Sequence, residues 1–158
     1  MITTQRYSYT SVYLLHGKGG SPGGSVLQLE ALLRQSFPEP RYERLSLPHG
    51  REKGGQAAER SVDFLRELLI EPGALLIGIS LGGLVAAKLQ ETGREDLHVI
   101  CISSPTWADG VELQRGAGEQ FDRLLWSYTD RGQRGYMDLY GGRIREALIL
   151  IIAHYCIC

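Results

Sequence analysis

The stretch Ala74-Leu75-Leu76-Ile77-Gly78-Ile79-Ser80-Leu81-Gly82-Gly83-Leu84-Val85-Ala86-Ala87 constrains the rest of the chain more than any other. Its first half is a short apolar run that suits a buried strand, and its second half opens a small-residue helix from Leu84 to Leu89. Between them, Gly78-Ile79-Ser80-Leu81-Gly82 must turn sharply. A serine at such a turn is held in a strained backbone conformation, and glycines two before and two after remove side chains that would collide there. Its hydroxyl then projects beyond the strand end at a helix N-terminus, where partial positive charge favours a developing oxyanion and the Leu81 N–H can donate to it. The plainer alternative is a Gly-rich turn that merely contains a serine. The strand before it and the helix after it argue against that alternative.

A chain of 158 residues is read as one domain, residues 1–158, long enough to bury a real core. Apolar residues make up 43% and charged residues 22%, the balance of a soluble globular protein. A net charge of −1 gives no electrostatic case for nucleic acid or for an anionic membrane. Met1 to Thr10 is polar and lacks the apolar segment of a signal peptide, and no apolar run reaches membrane-spanning length, so no stable membrane insertion is expected and the cytoplasm is the default location. Three cysteines do not make a disulfide framework. Cys101 falls in an apolar strand as a small core residue, while His154, Cys156 and Cys158 form a compact tail with no partner cluster for zinc.

The apolar run Ser11 to Leu15 reads as a strand and ends in the loop His16-Gly17-Lys18-Gly19-Gly20-Ser21-Pro22-Gly23-Gly24-Ser25. This loop fails the phosphate-loop test: Val12 stands where the leading glycine belongs, and Gly19 follows Lys18 in place of Ser or Thr. It also lacks a dinucleotide fingerprint, which disfavours a nucleotide-binding domain. Ser25 is expected to cap a helix from Val26 to about Ser36, with Val26, Leu29, Leu32 and Leu33 on its apolar face. A second strand spans Tyr42 to Leu47, and Pro48-His49-Gly50 closes it. A helix follows from Gln56 to Ile70, with Ala57, Val62, Leu65, Leu68 and Leu69 as its stripe. Beyond the serine turn and its helix, Leu97 to Ile102 is a fourth strand and Ser103 to Gly118 a loop. Arg123 to Tyr128 is a fifth strand, and Ala147 to Ile152 a sixth, with a helix over Arg145 to Tyr155 as the alternative. Strands alternating with helices predict an α/β protein: a three-layer α/β/α sandwich around a mostly parallel sheet of about six strands. The site of such a sheet lies beyond the carboxyl ends of its strands, where the Gly-rich loop, His49, Ser80, Ser103-Ser104 and Asp130 should meet.

Three features resemble the α/β-hydrolase superfamily: His16-Gly17-Lys18-Gly19-Gly20 after a strand, Gly78-Ile79-Ser80-Leu81-Gly82 as a nucleophile elbow, and Ser127-Tyr128-Thr129-Asp130 ending a later strand. The resemblance covers roughly residues 11 to 130 and implies a small serine hydrolase of the esterase, lipase or thioesterase kind, without a large cap. It implies Ser80 as nucleophile and the backbone N–H groups of Leu81 and Lys18 as oxyanion donors. His16, beside Gly17, would orient the oxyanion loop. Asp130 matches the acid, and Asp109 is the runner-up. Family order requires the histidine to follow the acid, and His154 is the histidine beyond Asp130. Ala153 stands where a glycine is usual, and the chain ends four residues after His154; set against the family pattern, a truncated or atypical C-terminus is the expectation. His49 precedes Ser80, the wrong order for a base, and reads as a substrate contact or a loop histidine; His98 opens a strand as an edge or core residue.

The resulting expectation is acyl transfer from a small-molecule ester or thioester to water through an acyl-enzyme, with no metal or organic cofactor. The competing reading is a catalytically inactive binding protein of the same fold. The sequence leaves the oligomeric state open.

Overall fold

A computed structural model describes residues 9–52, 55–102, 104–105 and 107–114. Four parallel strands carry it: β1 (Ser11–Leu15), β2 (Arg41–Leu45), β3 (Leu75–Ile79) and β4 (His98–Ile102), in the spatial order β2-β1-β3-β4. Val12 stands opposite Tyr42 on one side and Leu75 on the other, and Leu75 in turn faces His98. The helices are α1 (Ser25–Ser36), α2 (Ala57–Glu67) and α3 (Leu81–Glu91), and Pro48–Gly50 forms a single 3-10 turn.

Every residue of β1 and of β3 is buried, as central strands covered on both faces must be. Period-two alternation divides them between two cores. Val12 and Leu14 join Leu75, Ile77 and Ile79 beneath Val26, Leu29 and Leu33 of α1. Tyr13 and Leu15 join Leu76 beneath Val62 and Leu65 of α2 and Leu84, Val85 and Leu89 of α3. The chain adds β2 on one side of β1 and then returns to add β3 on the other. With crossovers of one hand, that reversal sends α1 to one face and α2 and α3 to the opposite face. These are the three layers of an α/β/α sandwich with a mostly parallel sheet. The expected strands Arg123 to Tyr128 and Ala147 to Ile152 lie outside the described residues.

Several local expectations are corrected. Ser25 is the first residue of α1, whose N-cap is Gly24, and it makes no capping bond. Strand β2 ends at Leu45, two residues before the expected Leu47. Helix α2 stops at Glu67, because Leu68 is already extended at φ −76°, ψ 143°. Beyond that break the helical stripe no longer applies, and Leu69 is 99% exposed. The loop after β4 contains a hairpin, β5 (Trp107–Ala108) with β6 (Val111–Glu112), antiparallel. Its turn is Asp109-Gly110, both at positive φ (47° and 86°), a conformation that Asp-Gly adopts readily. Lys88 of α3 secures the hairpin by donating to the Glu112 carbonyl oxygen at 2.6 Å.

Candidate active site

Ser80 joins β3 to α3 with φ 52° and ψ −122°, and it is half-buried. A non-glycine residue at such a φ is strained, and the surroundings must hold it there. They do so from two sides. The Ser80 N–H donates to the Ile102 carbonyl oxygen at 2.8 Å, fixing the turn to β4, and the Ser80 carbonyl oxygen accepts from the Gly83 N–H at 3.0 Å. The neighbouring glycines let α3 sit directly on the strand ends. A Cβ at Gly82 would stand 2.5 Å from the carbonyl oxygens of both Leu15 and His16, and one at Gly78 would strike the backbone of Gly82 and Gly83. Gly83 is equally confined, against the buried Ser104 hydroxyl. Leu81 is the first helical residue, so its N–H has no carbonyl partner within the helix.

The loop after β1 lies alongside. A Cβ at Gly17 would be 3.3 Å from Ser80 Cβ and 3.9 Å from Ser80 Oγ, so this backbone runs past the hydroxyl. β1 and β3 are neighbours, yet the chain leaves β1 in one direction along the sheet and returns to β3 in the other. The serine and the glycine loop therefore share the crevice at the topological switch point, where open α/β sheets bind ligands.

His16 is 1% exposed. Its Nε2 accepts from the Leu47 N–H at 2.9 Å, which leaves the proton on Nδ1 to donate to the Gly17 carbonyl oxygen at 2.8 Å. Burial pushes its pKa below the ordinary histidine value, and the bond to Gly17 opposes that only in part. His49, expected at a pocket or on an open loop, is instead fully buried. Its Nε2 lies 2.9 Å from the His16 carbonyl oxygen and its Nδ1 2.9 Å from Ser61 Oγ. Burial lowers its pKa as well. Sequence reasoning missed Ser61, because the polar position on the buried side of α2 has no meaning until His49 is seen to need a partner there. His98 opens β4 at the amino end of the strand, the opposite edge of the sheet from Ser80, where its ring meets Tyr9 edge-on at 5.3 Å.

Lys18 and Asp109 meet beside the glycine loop: Lys18 Nζ donates to Asp109 Oδ2 at 3.1 Å. The pair links the glycine loop to the β5–β6 hairpin, and with the lysine side chain 55% exposed it contributes no more than about 1 kcal/mol. An ionic cluster around the buried Glu30 holds the same loop from behind. Glu30 of α1 binds Arg34 at 2.9 Å and also pairs with Arg44 of β2, which donates to the Pro22 carbonyl oxygen. Cys101 is buried, its thiol pushed up to about 12 by loss of solvent, and its Sγ–H points at the Gly83 carbonyl oxygen at 3.4 Å.

Among the described residues no group of three His, Cys, Asp or Glu side chains is placed to hold a metal ion, and no helix is long and apolar enough to cross a membrane. Asp130, His154, Cys156 and Cys158 lie outside the described residues, as does Ser103.

No protein-family model matches the sequence, and comparison with curated protein sequences finds no match. Solved structures to which the chain is similar include proteins named as α/β-hydrolases. Mouse alpha/beta hydrolase domain-containing protein 10 is 16% identical, with 63% of this chain and 44% of that one covered, at a TM-score of 0.49. A monoacylglycerol lipase from Paleococcus ferrophilus is 22% identical, with 67% and 45% covered, also at 0.49. A tomato methylketone synthase I variant complexed with beta-ketoheptanoate is 19% identical, with 67% and 44% covered, at 0.47. The chain spans less than half the length of each of these proteins. In its own right, through strand order, flanking helices and the turn at Ser80, the described part of the chain has an α/β-hydrolase-like fold.

Proposed function

We propose that the chain is a serine hydrolase that cleaves small carboxylic esters or thioesters through an acyl-enzyme on Ser80. The observation that carries this reading is Ser80 itself: a half-buried hydroxyl at φ 52°, at a helix N-terminus, in the switch-point crevice. Ser80 Oγ attacks the carbonyl carbon, and the Leu81 and Lys18 N–H groups receive the oxyanion. His154 takes the serine proton, and Asp130 orients and stabilises the imidazolium, with Asp109 as the runner-up acid. The alcohol or thiol leaves with that proton, and water releases the acid by the same steps in reverse order. The chemistry assigned to these residues needs no cofactor. The assignment of the base has support from elimination: both ring nitrogens of His16 and of His49 are engaged, and His98 is at the far edge of the sheet.

The test is labelling by a fluorophosphonate probe together with turnover of a short-chain aryl ester. Wild-type protein should label stoichiometrically at Ser80 and hydrolyse the ester. Ser80→Ala should do neither while keeping its melting temperature, since alanine fits the turn. Undiminished turnover in folded Ser80→Ala would refute the nucleophile. A folded wild-type protein that neither labels nor turns over would count against the hydrolase reading and give precedence to the competing one, an inactive binding protein of the same fold.

A further inference from the structure

His49 belongs to neither the serine turn nor the glycine loop, yet it touches the loop at two points. Its ring Nε2–H donates to the His16 carbonyl oxygen at 2.9 Å, and its own carbonyl oxygen accepts from the Gly19 N–H at 3.4 Å. Those two residues bracket Gly17 and Lys18, the part of the loop that runs past Ser80. On its other side His49 is anchored to α2: Ser61 Oγ meets its Nδ1 at 2.9 Å and accepts from its backbone N–H at 3.3 Å. Ser61 Oγ also lies 2.8 Å from the Ala57 carbonyl oxygen one turn earlier in the helix. The His16 and His49 rings pack edge to face, with centroids 5.1 Å apart. Gly50 is pressed so closely on the loop that a Cβ there would run into the Gly20 carbonyl oxygen.

We propose that His49 is a positioning residue for the oxyanion loop, transmitting the rigid placement of α2 through Ser61 to the main chain of residues 16–19. This inference rests on the hydrolase reading of Ser80. Its physical basis is the loop's composition. Gly17, Gly19 and Gly20 leave the backbone with great conformational freedom, and a donor to an oxyanion acts only if that freedom is already removed. Bonds within the loop, such as Gly20 N–H to the Gly17 carbonyl oxygen at 3.0 Å, shape it but do not fix it relative to Ser80. His49 ties it to an element that packs against the same core as α3.

The experiment compares His49→Leu, His49→Gln and Ser61→Ala with wild type. Glutamine can carry an N–H to the position of Nε2, whereas leucine cannot. In His49→Leu, kcat for the aryl ester should fall roughly 100-fold with KM little changed, the cost of displacing a group that acts in the transition state by about 1 Å. Amide hydrogen exchange at Gly19, Gly20 and Leu47 should accelerate, and His49→Gln should recover most of both effects. Wild-type kcat and exchange in folded His49→Leu would overturn the proposal, as would a glutamine variant no better than leucine. If His49→Leu does not fold, Ser61→Ala decides: faster exchange at Gly19 with lowered kcat supports the role, and unchanged values overturn it. Should wild-type protein fail to label or turn over, the hydrolase reading has failed separately. The exchange comparison then still decides whether His49 holds the loop.

Discussion

Two buried histidines at the glycine loop have their pKa values lowered by burial, and that fixes how stability responds to acid. His16 accepts a main-chain N–H on Nε2, so a proton there would set two donors face to face. His49 is enclosed completely. Burial lowers the pKa of both, and that of the more open His98. The folded protein therefore binds fewer protons than the unfolded chain once pH falls below the unfolded value of about 6.5. Stability is fully present above that pH and is lost as pH falls toward the depressed native values. The urea midpoint should be flat between pH ~8 and ~7 and should drop by pH ~5.5. His49→Gln should make that drop shallower. Two carboxylates act at lower pH: Asp96, held by Arg94 at about 2, and Glu71, held below the ordinary glutamate value by the Ser11 hydroxyl and Arg41, release their contributions only as pH falls through the ordinary carboxylate range and below it. A midpoint that stays level from pH ~7 to ~5 would contradict neutral buried histidines.

Helix α3 and helix α2 make different demands on their residues, and the difference can be measured. The first turn of α3 rests on the ends of β1 and β3, so Gly82→Val would drive a branched side chain into the Leu15 and His16 carbonyls. It should lower the melting temperature markedly and abolish probe labelling at Ser80; a protein unchanged in both would show that the turn is not confined. On α2, Leu65 is fully buried, and Leu65→Ala should cost about 2–5 kcal/mol. Leu69, two residues past the helix end, is 99% exposed, and Leu69→Lys should stay within about 0.5 kcal/mol. The sequence placed both leucines on one stripe, because helical periodicity is blind to where Leu68 leaves the helix. The serine turn was legible because its steric demand is local: a strand, a pentad and small residues suffice to specify it. The β5–β6 hairpin had a readable signal in Asp109-Gly110, but Pro105 and the short flanking runs made that segment look like loop. His49 and Ser61 were not legible as a pair, since their contact depends on how the turn after β2 meets α2.

At the scale of the whole molecule, function depends on strand order, which local pattern cannot supply. β1 and β3 are separated by two helices and a strand in sequence, yet they are adjacent in the sheet, and this adjacency brings Gly17 to Ser80. The same arrangement limits which histidine can serve the serine. The chain has four. His16 engages its ring nitrogens with the Leu47 N–H and the Gly17 carbonyl oxygen, His49 engages its own with the His16 carbonyl oxygen and Ser61 Oγ, and His98 sits at the amino end of β4, the opposite edge of the sheet from Ser80. The hydrolase reading therefore depends on His154. Replacing it with glutamine should lower kcat by about three orders of magnitude or more, leaving the residual rate that oxyanion donors and binding sustain on their own. KM should change far less, because the base acts on a proton that moves only in the transition state. His98→Gln provides the control and should turn over as wild type does. If His154→Gln keeps the wild-type rate in a protein that still labels at Ser80, the base is not a histidine. The first residue to substitute as a candidate for activating Ser80 is then Asp109, tethered to Lys18 of the glycine loop.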